Sequence, residues 1–400
     1  MVPKGWMLKQ LSDIVKEKIS YGIVQAGPHI PNGIPYIKSS DIRGAIDPAS
    51  LQRTAPEIHY KYRRSAVHPG DIIFSLRGNI GETSIVPSNL LEANLTQGTA
   101  RISVSSDQCN EFYHQQFAMD KLRNYINSLS KGSTFKEISL EELRKVKVLC
   151  APLPEQKKIA QILLTWDKAI SVTEKLLANS QQQKKALMQQ LLTGKKRLLD
   201  ENGGRFSGEW CTCTLSEVAH IIMGSSPKSE AYNDNGLGLP LIQGNADIKC
   251  RVSCPRVYTS DITKECSPGD ILLSVRAPVG TVALSQHKAC IGRGISAIKS
   301  KRKMSQSFLY QWFLWFEPKW CYLSQGSTFE SINSDDIKTL KLSVPNFEEQ
   351  QKIATVLSAA DDEIATLEKK LACLKDEKKA LMQQLLTGKR RVKIDEAVAA

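Results

Sequence analysis

Arginine, lysine, glutamine and asparagine recur in this chain where short apolar runs give way to glycine-bearing turns. Lys38, Ser39, Ser40 and Arg43 follow the run IPYI, Arg77 and Asn79 follow DIIFSL, and Gln97 and Arg101 flank the turn in TQGTAR. Later in the chain, Gln243 and Asn245 follow LPLI, Arg276 follows DILLSV, and Arg293 sits in GRG. Such side chains fork hydrogen bonds onto base edges, and Lys, Arg, Ser and Thr also grip phosphate oxygens. The chemistry they suit is recognition of a polyanion rather than bond breaking. A formal net charge of +13 points to the same kind of partner, nucleic acid.

Motifs for catalysis do not accompany them. The sequence has no G-x-x-x-x-G-K-[ST] loop, no NPPY- or DPPY-like tetrapeptide and no Phe-x-Gly-x-Gly strand turn of the kind amino-methyltransferases use. His220 and His287 stand without motif context. Cys211-x-Cys213 and Cys250-x3-Cys254 resemble half of a zinc site, but the first half of the chain has no counterpart, so no metal is expected. No apolar leader and no run of about 18 apolar residues is present. The most apolar window, FLYQWFLWF at 308–316, is too short to span a bilayer and reads as core. A cytoplasmic protein with reduced thiols and no membrane partner is expected.

The frame that positions these residues is written twice. KKALMQQLLTGK occupies 184–195 and, letter for letter, 378–389. HPGDIIFSLRGNIG (68–81) matches SPGDILLSVRAPVG (267–280), and LSKGSTFKEIS (129–139) matches LSQGSTFESIN (323–333). The offset between copies is 204 at Trp6 and Trp210 and 199 in the PGDI segment. It is fixed at 194 from residue 129 through EQKKIA and EQQKIA to the end. Drifting length belongs to loops, whereas locked length marks a segment whose geometry matters.

The locked segment has the pattern of a long helix. Ile353, Leu357, Ala360, Ile364, Leu367, Leu371, Leu374, Lys378, Leu381 and Leu385 alternate steps of four and three, a heptad seam. Ile159, Leu163, Trp166, Ile170, Thr173, Leu177, Ser180, Lys184, Leu187 and Leu191 share its register. Each copy supplies one such seam and no partner of equal length, which predicts that the two helices pair antiparallel. Gly194 and Gly388 end them, each followed by a basic run. The variable segments read as mixed α/β: IPYIKSSDI, GDIIFSL, TSIVP and TARISV as strands, 111–130 and 305–325 as helices, and SLEELRKV as a short helix capped by Ser139.

The doubled PGDI(I/L)xSxR strand, LSxGSTF, EQxKIA and the helix ending LLTGK, in that order and over essentially the whole chain, resemble the specificity subunits of type I restriction–modification systems. The resemblance implies a pseudo-twofold plan. Target-recognition domains lie at 1–150 and 199–344; conserved long helices lie at 151–198 and, with the C-terminal tail, at 345–400. It further implies that each α/β domain reads one half of a bipartite, asymmetric site in double-stranded DNA. The antiparallel helices would set the spacing and dock two methyltransferase subunits, which restriction/translocase subunits join. On this pattern the chain has no catalysis of its own, and methyl donor, ATP and Mg belong to the partners. SLRGNIG against SVRAPVG, and IKSSDI against IQGNADI, differ in chemistry as two unlike half-sites require. Arg77 and Arg276, the matched pair, suit phosphate or structural roles better than base reading. The GST loops (132–134 and 326–328) and the runs Lys61–Arg64, Lys299–Lys303, Lys195–Arg197 and Lys389–Arg391 are further phosphate candidates.

Overall fold

In a computed structural model the chain is described over residues 2–132, 136–320 and 331–394. It divides into two compact units, Met1–Glu174 with Lys370–Ala400, and Lys175–Lys369. These differ from boundaries drawn between recognition modules and helices. Each unit takes one module together with half of each long helix, because each helix half packs on a module as well as on the other helix.

In the first unit, Ile72–Ser75 pairs antiparallel with Thr83–Ile85 on one side and Thr99–Ile102 on the other. Its side chains alternate between two cores: Ile72 and Phe74 enter one, and Ile73 enters the other. The second unit repeats this with Ile271–Ser274, where Ile271 and Leu273 face one core and Leu272 the other. That is why GDIIFSL and GDILLSV are apolar without alternation. The PGD turn before each strand is held by a buried aspartate. Asp71 accepts the His68 N–H at 3.0 Å and Asp270 the Ser267 N–H at 2.7 Å. Gly70 and Gly269 supply the φ of +88° that the turn needs.

The expected helix at 111–130 is two, Asn110–Phe117 and Asp120–Ser128, parted at Ala118-Met119. The apolar helix of the second unit, Gln306–Phe316, passes into a 3₁₀ turn at Pro318, and Trp312, Phe313 and Trp320 lie in the core. Ser139 caps Leu140–Lys145 by accepting the Glu142 N–H.

The long helices are Leu153–Leu191 and Phe347–Leu385, each 39 residues and about 58 Å at 1.5 Å per residue. Every seam position named above, in both helices, is buried or half-buried. In the first unit Ile159 and Leu163 share a core with Leu381 and Leu385; in the second, Leu187 and Leu191 share one with Ile353 and Leu357. Within each unit the start of one helix thus meets the end of the other, the antiparallel sense. Among the described residues no helix is long and apolar enough to cross a membrane.

Candidate nucleic-acid interface and its supports

In the first unit three chain segments run parallel and end side by side. Ile34–Ile37 pairs in parallel with Asn94–Leu95, and Ile23 forms a parallel bridge to Thr96. The Thr96 N–H donates to the Ile37 oxygen at 3.2 Å, and the Gln97 N–H to the Ile23 oxygen at 2.9 Å. Beyond these ends lie Lys38 to Ser40, Gln97, and Val24 with Gln25. Asp41 fixes the first loop by accepting the Lys38 N–H at 2.9 Å, while Lys38 Nζ reaches Gln52 Oε1 at 3.2 Å. Burial, aided by the Asp41 charge, raises the Tyr36 phenol above its usual range.

The second unit builds the same cluster. Leu239–Ile242 pairs in parallel with Ala289–Ile291, the Gly292 N–H donates to the Ile242 oxygen at 2.8 Å, and the Ser225 N–H to the Ile291 oxygen at 3.0 Å. Asp247 accepts the Gln243 N–H at 2.8 Å, closing a loop one residue longer than that at Lys38–Asp41. A buried Asp247 oxygen also accepts from Arg256 at 2.9 Å. The third segment requires glycine in both units. A Cβ on Gly22 would stand 1.9 Å from the Leu95 oxygen, and one on Gly224 2.2 Å from the Gly292 oxygen.

Structural equivalence pairs Lys38 with Gln243 and Gln97 with Arg293. Each cluster therefore carries one cation and one amide, in opposite places. Gln243 and Arg293 are exposed; Lys38, Ser39, Gln97 and Asn245 are half-buried; Ser40 and Arg43 are exposed. Asn79 is exposed and donates to Glu82 at 3.2 Å.

Arg101 is a correction. It lies on the strand face opposite Ala100 and Ile102, in register with Ile73, where the second unit has the core residue Ala297. It is 6% exposed, donates to the Ala66 oxygen and ion-pairs with Glu17. Arg101 supports the fold and is not placed to meet a ligand. Arg77 is exposed but ion-paired to Glu137 at 3.0 Å. Its equivalent Arg276 bridges through its backbone to Ser331, which offers no carboxylate. Of the GST loops, only Gly132 is among the described residues; Ser133, Thr134 and 326–328 lie outside them. Among the described residues no three His, Cys, Asp or Glu side chains gather as a metal site.

The supports for these clusters were only partly singled out in the sequence. In the first unit, Glu155 in the opening turn of the first long helix is 1% exposed. It binds Arg391 through two bonds of 2.6 and 2.7 Å and accepts the Trp6 Nε1–H at 3.0 Å. In the second, the fully buried Glu349 binds Arg197 through bonds of 2.6 and 2.7 Å. These bonds to carboxylate push both guanidinium pKa values further up. Gly194 and Gly388, at φ +70° and +67°, turn the helix ends so that the third residue of each basic run arrives at its glutamate. The neighbouring glutamines tie the helix starts to the modules. Gln156 accepts the Cys109 N–H and Gln350 the Ser305 N–H, both at 2.9 Å, each at the N-cap of a module helix.

Further along, the seam lysines act as polar keys. Lys378 meets Asp167 at 2.5 Å in the first unit, and Lys184 meets Asp361 in the second. The same aspartates accept from Gln115 at 2.7 Å and Gln311 at 2.8 Å in the modules. A half-buried charged pair in a seam fixes register, since slippage would strand both charges. Asp167 and Asp361 stand at the locked offset of 194, the one signal in the sequence that could have found them.

Two like α/β modules in one chain, each with three converging strand ends and a Glu–Arg clasp of long-helix ends, define a duplicated recognition scaffold. The model of the type I restriction modification DNA specificity domain matches residues 3–179 and 207–376, and the chain belongs to this family. It is 32% identical to the MjaX type I restriction enzyme specificity subunit of Methanocaldococcus jannaschii, over 98% of this chain and 95% of that one. It is 24% identical to the MjaVIII specificity subunit of the same organism, over 98% and 94%. The fold is shared with the type I restriction–modification S subunit from M. genitalium, at a TM-score of 0.65, 15% identity and 96% and 99% coverage. It is shared too with a chain of a solved type I R-M system, at 0.59, 24% identity and 98% and 100% coverage.

Proposed function

We propose that each module of this specificity subunit reads one half of a bipartite, asymmetric DNA site, while the paired helices set the spacing and dock two methyltransferase subunits. Restriction/translocase subunits complete the assembly. The chain itself carries out no catalysis and holds no cofactor; methyl donor, ATP and Mg are used on the partners. The observation that carries this reading is the reversed cation and amide: Lys38 and Gln97 in one cluster, Gln243 and Arg293 in the other. Arg and Lys select guanine, whereas Gln and Asn select adenine. One frame with its reading groups exchanged suits two unlike half-sites. The net charge of +13 supplies the non-specific attraction.

Methylome sequencing of the host with and without this gene tests the proposal. Loss of one split, asymmetric adenine motif is expected on deletion, and an unchanged methylome would contradict it. For the assembled complex, neutralising about ten phosphates would give a slope of log K against log salt near −9.

A further inference from the structure

The third strand end of each cluster lacks any repeated motif and carries exposed side chains. In the first unit Ile23 is locked between Leu95, whose oxygen accepts the Ile23 N–H at 2.6 Å, and Gln97, whose N–H donates to the Ile23 oxygen, and its side chain is buried. The next two residues, Val24 and Gln25, are both exposed, Val24 at 47%. An exposed valine alone says nothing. This one leaves the same edge as Lys38 and Gln97, on a backbone held so closely that Gly22 tolerates no Cβ. In the second unit the equivalent exposed position is Ser226, followed by the buried Pro227. Ser226 Oγ accepts the Arg293 N–H at 3.4 Å, tying this segment to the neighbouring candidate loop.

We propose that Val24 and Gln25 are specificity-determining residues of the first half-site and that Ser226 takes their place in the second. The proposal rests on the reading of the chain as a two-module DNA scaffold. Val24 offers a branched apolar surface that fits a thymine C5-methyl group, and the Gln25 amide matches the N6/N7 edge of adenine. Together they select an A·T-containing step in one half of the site. Ser226, small and able to donate or accept, imposes a weaker preference in the other half. Gly22 and Gly224 act as positioning residues, since they let this segment lie against its neighbour.

The test uses the full chain in its assembled complex, in hosts where it is the sole specificity gene, read by methylome sequencing. Val24→Ser is expected to relax discrimination at one A·T pair of one half-site by roughly tenfold, leaving the other half unchanged. Gln25→Glu, a near-isosteric change, is expected to move the preference at one position from adenine toward cytosine, whose N4 amine donates to a carboxylate. Ser226→Val should alter only the other half. Since all three positions are exposed, the melting midpoint of the full chain should stay at the wild-type value. Unchanged motifs in Val24→Ser and Gln25→Glu would overturn the proposal. So would an equal loss of methylation at every sequence, which would assign these residues to backbone contact or to the fold. A wild-type gene that specifies no split motif would instead refute the DNA-reading scaffold itself.

Discussion

The two units close the same clasp with different insurance. In the first, Glu155 accepts from both Arg391 and the Trp6 indole. In the second, among the described residues, Glu349 has Arg197 as its only side-chain donor and the Trp210 indole N–H has no partner. Both units keep the Glu–Arg pair, and only one keeps the Trp bond. The ion pair is therefore the shared device that fastens helix end to helix start, and the tryptophan is a local addition. Each arginine also lies 6.0 Å from the ring of its unit's tryptophan, so packing persists where the hydrogen bond does not.

The largest effect follows from that difference. Arg197→Ala leaves a fully buried carboxylate with no donor and should cost about 3–5 kcal/mol in the second unit. Arg391→Ala leaves Trp6 still donating to Glu155 and should cost clearly less in the first. Chemical denaturation with hydrogen exchange of each helix start would rank them; equal losses would mean that the indole bond contributes nothing.

A smaller contrast separates the two loop arginines. Arg276→Ala should lower the salt slope of DNA binding by about 0.9, the share of one phosphate. Arg77→Ala, which removes an exposed pair with Glu137, should leave the slope in place and cost no more than about 1 kcal/mol of stability. Equal slopes for both variants would place neither arginine on a phosphate.

The smallest contrast is with pH. His114 in the first unit is half-buried beside Thr83, and desolvation holds its pKa below the usual histidine value. Its equivalent in the second unit is Tyr310, whose phenol burial pushes up to about 12. A lowered histidine pKa means the unfolded chain binds the proton first. Stability from this site is full above the unfolded value of about 6.5 and is lost as pH falls below it. The first unit should therefore soften as the pH falls below about 6.5 where the second does not, and His114→Gln should abolish the difference. Thermal melts followed by unit-resolved exchange would show it; parallel softening of both units would contradict it.

Much of this frame was legible in the sequence because it is written twice. The heptad seams were readable position by position, since burial along a helix follows a 3.6-residue period wherever a partner exists. The PGDI strands were readable for the same reason. What escaped reading depends on tertiary neighbours. Glu155 and Arg391 lie 236 residues apart, so their repeated letters showed that they matter but not that they meet. Arg101 looked like a reader because it flanks the glycine-bearing turn in TQGTAR; the sheet buries both faces of that strand, and its guanidinium folds back onto Glu17. The strand end at Val24 escaped because YGIVQ and MGSSP share only their glycine, the one residue that close packing dictates.

The central claim is that two copies of one plan, joined by interchangeable helix ends, read two halves of one site. Residues 1–198 contain both sides of each contact: Glu155 and Arg197 for the clasp, Asp167 and Lys184 for the seam key. Two such fragments can close both contacts antiparallel, because the offset of 194 makes Glu155 equivalent to Glu349 and Arg197 to Arg391. The most direct measurement is the methylation motif of a host whose only specificity protein is this fragment. The account predicts a palindrome built from the first module's half-site, with close to the native spacer. Retention of the original asymmetric motif, or no motif from a fragment shown by light scattering to be a stable dimer, would contradict it.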